Sequence, residues 1–185
     1  MTPLPTIPVI TMEPTPVVTA TPKPTKPLQY DRFVIDADDT VVRGSTEKYN
    51  AVLFLSARPN AKDPSIAFHA LWMQKGYDFE SMNSMPRQAA MSPIQEAVQR
   101  VTKKSFNPET RRVLRSGMDE LSGQPAFVFE CSFTDKNGNV NFVMKLVCVS
   151  TPEIGTYVFV GTASSEEDLA AWVDPYYFDC IHWQE

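Results

Sequence analysis

The stretch from Gln124 to Ala163 holds three strand patterns in succession, and any fold for this chain must set them side by side. Phe127, Phe129, Cys131 and Phe133 alternate with Ala126, Val128, Glu130 and Ser132, a period of two with one strongly apolar face. Val140, Phe142, Met144, Leu146 and Cys148 repeat that face further on. Asn137-Gly138 lies between the two runs and favours positive φ at both central positions of a two-residue hairpin turn. Such a turn sets Cys131 opposite Met144 and Phe127 opposite Cys148, with both apolar faces on one side. On the reverse side Asn141 and Lys145 are expected in solvent, while Val143, Val147 and Val149 can meet a covering helix or loop. A third strand is expected at Tyr157–Thr162, after the breaker Thr151-Pro152-Glu153-Ile154-Gly155.

The N-terminal residues cannot belong to such a sheet. Residues 1–28 contain eight of the 16 prolines and seven threonines, with no glycine. This composition favours extended, polyproline-like chain, so 1–28 reads as a semi-rigid stalk and 29–185 as one globular domain. No secretory signal pattern precedes the stalk. A Thr/Pro stalk after a bare Met suggests a chain whose export signal has been removed. The expectation is an exported protein at the cell surface or in the periplasm, tethered by a lipid anchor in the full-length gene product.

Between stalk and central sheet, Tyr30–Ile35, Asn50–Ser56 and Ser65–Met73 read as strands, with His69 half exposed on the last. Ser92-Pro93-Ile94-Gln95 reads as a helix start, with Ser as cap and Pro at the first helical position. Ile94, Ala97, Val98 and Val101 then form an apolar stripe fit to cover a sheet face, Glu96 and Arg100 pair at i, i+4, and Asn107-Pro108 ends the helix. Thr110–Met118 reads as a more polar strand, at an edge or with one solvated face. Ser164 with Glu167 reads as a capping box opening a second helix, with Leu169, Trp172 and Val173 as its buried stripe and Asp174-Pro175 as its stop.

Most catalytic readings fail on the residues. Asp36-Ala37-Asp38-Asp39-Thr40 after an apolar strand resembles the first motif of haloacid-dehalogenase-type phosphatases, where the two aspartates act with magnesium. That motif needs a downstream Lys, and no Lys lies beyond Lys145. The plain reading is a polar turn. His69 and His182, the only two histidines, form no Cys/His/acid cluster at ligand spacing. No metal site and no cofactor are expected. Cys131 and Cys148 are offset by four residues along the hairpin, roughly 13 Å, too far for a disulfide; Cys180 has no fixed facing. The net charge of −5 argues against a nucleic-acid partner. Residues 87–115 are nonetheless basic, and the chain beyond Lys145 carries seven acids and no Lys or Arg.

The order of elements and three local patterns carry a resemblance. Gly123-Gln124-Pro125-Ala126-Phe127, the long partner strand after it, and Tyr157-Val158-Phe159-Val160-Gly161-Thr162-Ala163-Ser164 leading into a capped helix resemble the PsbP-like superfamily. That superfamily includes photosystem extrinsic proteins, Ran-binding Mog proteins and bacterial lipoproteins of the DcrB kind. The resemblance implies an α+β fold: an α/β/α sandwich with a central, mainly antiparallel sheet of about six to seven strands flanked by helices. It also implies a noncatalytic binding or assembly role, with another protein or a cell-envelope component as partner and the membrane reached only through the anchor. The alternatives are a small-ligand carrier with an internal cavity and the magnesium phosphatase of Asp36 and Asp38. Partner contact is expected at Arg111 and Arg112 in the basic region and at Tyr176, Tyr177 and Trp183 in the aromatic C-terminal end.

Overall fold

Alternation fixes the central hairpin of the fold. In the computed structural model, β7 (Gln124–Thr134) and β8 (Val140–Thr151) pair antiparallel with Phe127 opposite Cys148 and Cys131 opposite Met144, the register that the two apolar faces demand. The structure describes residues 25–38, 40–48, 51–59, 62–102, 107–135 and 137–184; of 42–48 and 101 it describes the backbone alone.

The hairpin closes differently from expectation. Its loop runs from Asp135 to Asn139, and a register shift beside Phe133 absorbs the extra length. The Asp135 carboxylate accepts from the backbone N–H groups of Asn137 and Asn139 at 2.8 and 2.9 Å, which holds a wider loop than Asn-Gly alone would form. The two-residue turn lies instead at Ser122-Gly123, where both residues have positive φ (53° and 80°). It joins β6 (Arg111–Leu121) to β7.

Seven further strands complete the architecture around these. β3 (Val41–Lys48), β4 (Ala51–Ala57) and β5 (Ala67–Met73) form one meander, and β6, β7, β8 and β9 (Gly155–Ala163) form another. β9 returns to pair with β5, giving a seven-stranded sheet in the order β3-β4-β5-β9-β8-β7-β6, antiparallel throughout. A second sheet of three strands sets β2 (Phe33–Ala37) between β1 (Lys26–Gln29) and β10 (Ile181–Trp183). β1 begins at Lys26, within the segment read as stalk. Residues 1–24 lie outside the described residues.

Each face of the large sheet has its own cover. α1 (Ser84–Thr102) lays Ala90, Met91, Ile94, Ala97 and Val98 on the face formed by Phe127, Phe129, Met144, Leu146, Val158 and Val160. The small sheet and the short α2 (Glu166–Trp172) cover the reverse face, where Phe33, Ile35, Val128, Val147, Phe159, Leu169 and Tyr177 meet. The fold is thus an α+β sandwich, with the second cover built more from strand than from helix.

Burial explains the remaining departures. α1 starts at Ser84, not at Ser92, and carries Pro93 inside it. An interior proline costs about 3 kcal/mol. Extending the helix upstream buries Ala90 and Met91 fully in the same stripe, and a large apolar side chain contributes about 1.5–3 kcal/mol. His69 is buried, because β5 is covered on both faces, and its Nδ1 lies 2.8 Å from the Ser56 hydroxyl. Lys145 is not in solvent: its side chain is 15% exposed, 3.0 Å from Asp174 and over the Phe178 ring. The cap of α2 is Ser165, which accepts from the Asp168 N–H at 3.1 Å. Asp36 lies in β2, paired antiparallel on both sides, and Asp38 accepts from the Thr40 N–H at 2.9 Å. That is a polar turn between antiparallel strands, not the end of a parallel strand. No group of three or more metal-ligating side chains occurs among the described residues.

All three cysteines are free. Cys131 and Cys148 are fully buried, and burial pushes the Cys131 thiol up to about 12 and that of Cys148 higher still. In native protein near neutral pH, a thiol-reactive dye read by mass spectrometry should label Cys180 alone; denaturant should expose the other two. Gly161 carries α2: a Cβ there would lie 2.8 Å from both Phe178 and Val173. Gly161→Ala is expected to lower stability by about 1–3 kcal/mol in a urea melt, by overpacking this contact.

Candidate functional site

The chain reverses direction at one end of the large sheet, and a groove forms there. Its walls come from the start of β7, the β8–β9 turn and the loop before α1, while Met118 of β6 and Trp183 of β10 close its sides. The cavity measures about 510 Å³ and opens to solvent. Beneath the groove Phe79 stacks on Phe127 at 4.8 Å and Tyr77 stacks behind Phe79 at 5.4 Å, all three rings buried in the core.

A chain of short polar contacts holds these walls. The Tyr77 N–H donates to the Ser150 hydroxyl at 2.7 Å, Ser150 meets the Thr156 hydroxyl at 2.7 Å, and Thr156 donates to the Lys75 carbonyl at 2.7 Å. The Trp72 indole donates to the Ile154 carbonyl at 2.8 Å and pins the β8–β9 turn. Gly76 permits the close approach of the two walls, since a Cβ there would fall 1.9 Å from the Thr151 carbonyl oxygen.

The rim is acidic. Asp78, Glu80 and Glu153 line the groove and no described Lys or Arg does, while Arg87 of α1 donates to the Phe79 and Glu80 carbonyls behind this wall at 2.6 and 3.2 Å. Hydrogen bonds from the Ser81 side chain and backbone hold the Asp78 carboxyl below its usual range. The Thr151 hydroxyl does the same for Glu153, with Asp78 opposing it slightly. Both are therefore ionised at neutral pH. A second hollow of about 400 Å³ shares Glu153 and Ile154 and continues over Asp31, Phe54, Trp72 and Tyr157. Tyr157 donates to Asp31 at 3.2 Å, and burial pushes its phenol up to about 12. A third hollow, of about 370 Å³, has mixed charge, and its Arg115, Asp119 and Lys145 are already ion-paired.

The structure does not bring the five expected contact residues together. Trp183 lies in the groove, with its ring edge-on to Tyr157 at 5.2 Å. Tyr177 is 1% exposed, stacked on Phe68 at 4.8 Å, and belongs to the core. Tyr176 is half buried against the same cluster. Arg111 donates to Gln95 of α1 at 2.6 Å and lies 5.5 Å over the Phe129 ring, so it ties helix to sheet. Arg112 is exposed, but it lies six residues from Met118, about 20 Å along β6 from the groove. Lys103 and Lys104 of the basic region lie outside the described residues. Asp78, Phe79, Glu80 and Glu153 went unnoticed in the sequence, because they sit in two loops separated by more than seventy residues. Only the paired strand ends join them.

No protein-family model and no curated protein matches this chain. Solved structures do. Cyanobacterial PsbP from Synechocystis, determined in solution, superposes with a TM-score of 0.53 at 8% identity, covering 82% of this chain and 86% of that one. The immunity protein TplEi of the Pseudomonas aeruginosa T6SS gives a TM-score of 0.43 at 12% identity over 73% of this chain and 46% of that one. LpqN of Mycobacterium tuberculosis, involved in cell envelope biogenesis, gives 0.38 at 14% identity over 88% and 87%. The chain has the PsbP-like fold.

Proposed function

We propose that this chain is a noncatalytic binding or assembly domain that works outside the cytoplasm, carried by its Pro/Thr-rich N-terminal segment, and that the groove at the sheet end seats a basic segment of a protein partner. The observation that carries this reading is a rim of three carboxylates, joined by no described Lys or Arg, beside the half-buried ring of Trp183. A Lys or Arg side chain suits both parts: its stem packs against the Trp183 ring and its head meets the rim. The export reading draws on the tail composition and on the PsbP-like fold. The lipid anchor and the identity of the partner are part of the proposal.

The probe is a lysine-rich peptide, followed by amide and indole NMR shifts. Shifts should cluster at Asp78–Glu80, Pro152–Ile154 and the Trp183 indole. Reversing Glu80 and Glu153 together to Lys should abolish binding, and Glu153→Gln alone should weaken it several-fold. Arg112→Glu should leave it unchanged. Binding should hold from pH 8 to pH 5. It should fall only as pH drops through the lowered carboxylate pKa values of Asp78 and Glu153, because protonation removes the rim charge. Shifts confined to the Arg111–Arg115 edge, or no saturable shifts at all, would overturn the groove reading.

A further inference from the structure

β6 is the outer strand of the seven-stranded sheet, 11 residues long and without proline. Its outward N–H and C=O groups form a row that β7 does not reach, which is a template for another strand. Edges are often guarded by charges of one sign, which repel a second copy. The charges of β6 have a different order: Arg111, Arg112 and Arg115 occupy its first half, Asp119 and Glu120 its second. A second β6 running antiparallel lays its acidic half along this basic half, and the reverse.

We propose that two copies of this chain pair through β6, antiparallel, about a two-fold axis at Gly117. In that register Arg115 of each copy stands opposite Asp119 of the other, and Ser116 opposite Met118. The faces agree. Within the β6–β7 ladder Arg115 pairs with Glu130 and Asp119 with Ala126, both directed to the small-sheet face, while Ser116 and Met118 pair with Phe129 and Phe127 on the α1 face. A slip of one residue would oppose side chains of different faces. Arg115 and Asp119 are 50% and 46% exposed and now pair along their own strand, so each can exchange that partner for its counterpart across the axis. A Cβ at Gly117 would meet nothing within 4 Å, so the axis is unobstructed. Beyond the register shift between Val113 and Arg115, Val113, 42% exposed, falls beside the Glu120 stem of the other copy. The contact is isologous and closes at two, joining both sheets into one. It is independent of what fills the groove.

Sedimentation of the full 185-residue chain from low to several hundred micromolar tests it. The expected result is a concentration-dependent doubling of mass that weakens with added salt. Arg115→Glu and Asp119→Arg each set like charges opposite one another twice, and each should weaken dimerisation by roughly tenfold or more. The double swap, Arg115→Glu with Asp119→Arg, restores opposite charges and should restore the dimer. Hydrogen exchange on the unaltered protein gives a second reading: β6 amides should gain protection as concentration rises, while β1 amides do not. A chain that stays monomeric throughout, a dimer indifferent to both single reversals, or a folded double swap that remains monomeric would each overturn the proposal.

Discussion

Burial of β9 on both faces is the constraint from which the rest of the architecture follows. All nine of its residues are buried, so every N–H and C=O of the strand must find a partner within the sheet. Only a central position supplies that, and β9 accordingly lies between β5 and β8. With β9 fixed there, the first meander must lie on one side and the second on the other. Both faces must then be covered, one by α1 and the other by the small sheet with α2. Gly161, at a point where no Cβ fits, records how closely α2 and the Phe178 turn press on this strand.

The same arrangement separates the chemistry of the surface. Arg111 is drawn inward to Gln95 and Phe129, and Lys145 is held by Asp174 and Phe178, so two cations of the chain serve packing. The sheet end behaves in the opposite way. Its carboxylates stay on loops, and Asp78 and Glu153 are held ionised by hydroxyls and backbone amides.

Strands and their register were legible in the sequence wherever alternation was strong. Phe127 to Phe133 and Phe142 to Cys148 determined the pairing of β7 with β8, and burial of the opposite valines followed. Local signals misled where tertiary contacts outweighed them. Ser92-Pro93 has the form of a helix start, yet the core reached past it to Met91. Asn137-Gly138 has the form of a tight turn, yet Asp135 captured the loop amides first. Lys145 had the form of a solvated residue, and its partner Asp174 lies 29 residues away. The groove was out of reach for a related reason: Asp78 and Glu153 are neighbours only because β5, β8 and β9 end together, and no window of the sequence contains both.

The small sheet ties the first described strand to the last. Trp183 stands opposite Phe33 and Ile181 opposite Ile35, with β2 between the first strand and the last. Phe33 and Ile35 are fully buried beneath this pairing. A ribosome therefore releases β2 long before the strand that completes its sheet exists. One cover of the large sheet stays open until β10 emerges, so the fold closes in a step dominated by contacts far apart along the chain and slow for that reason.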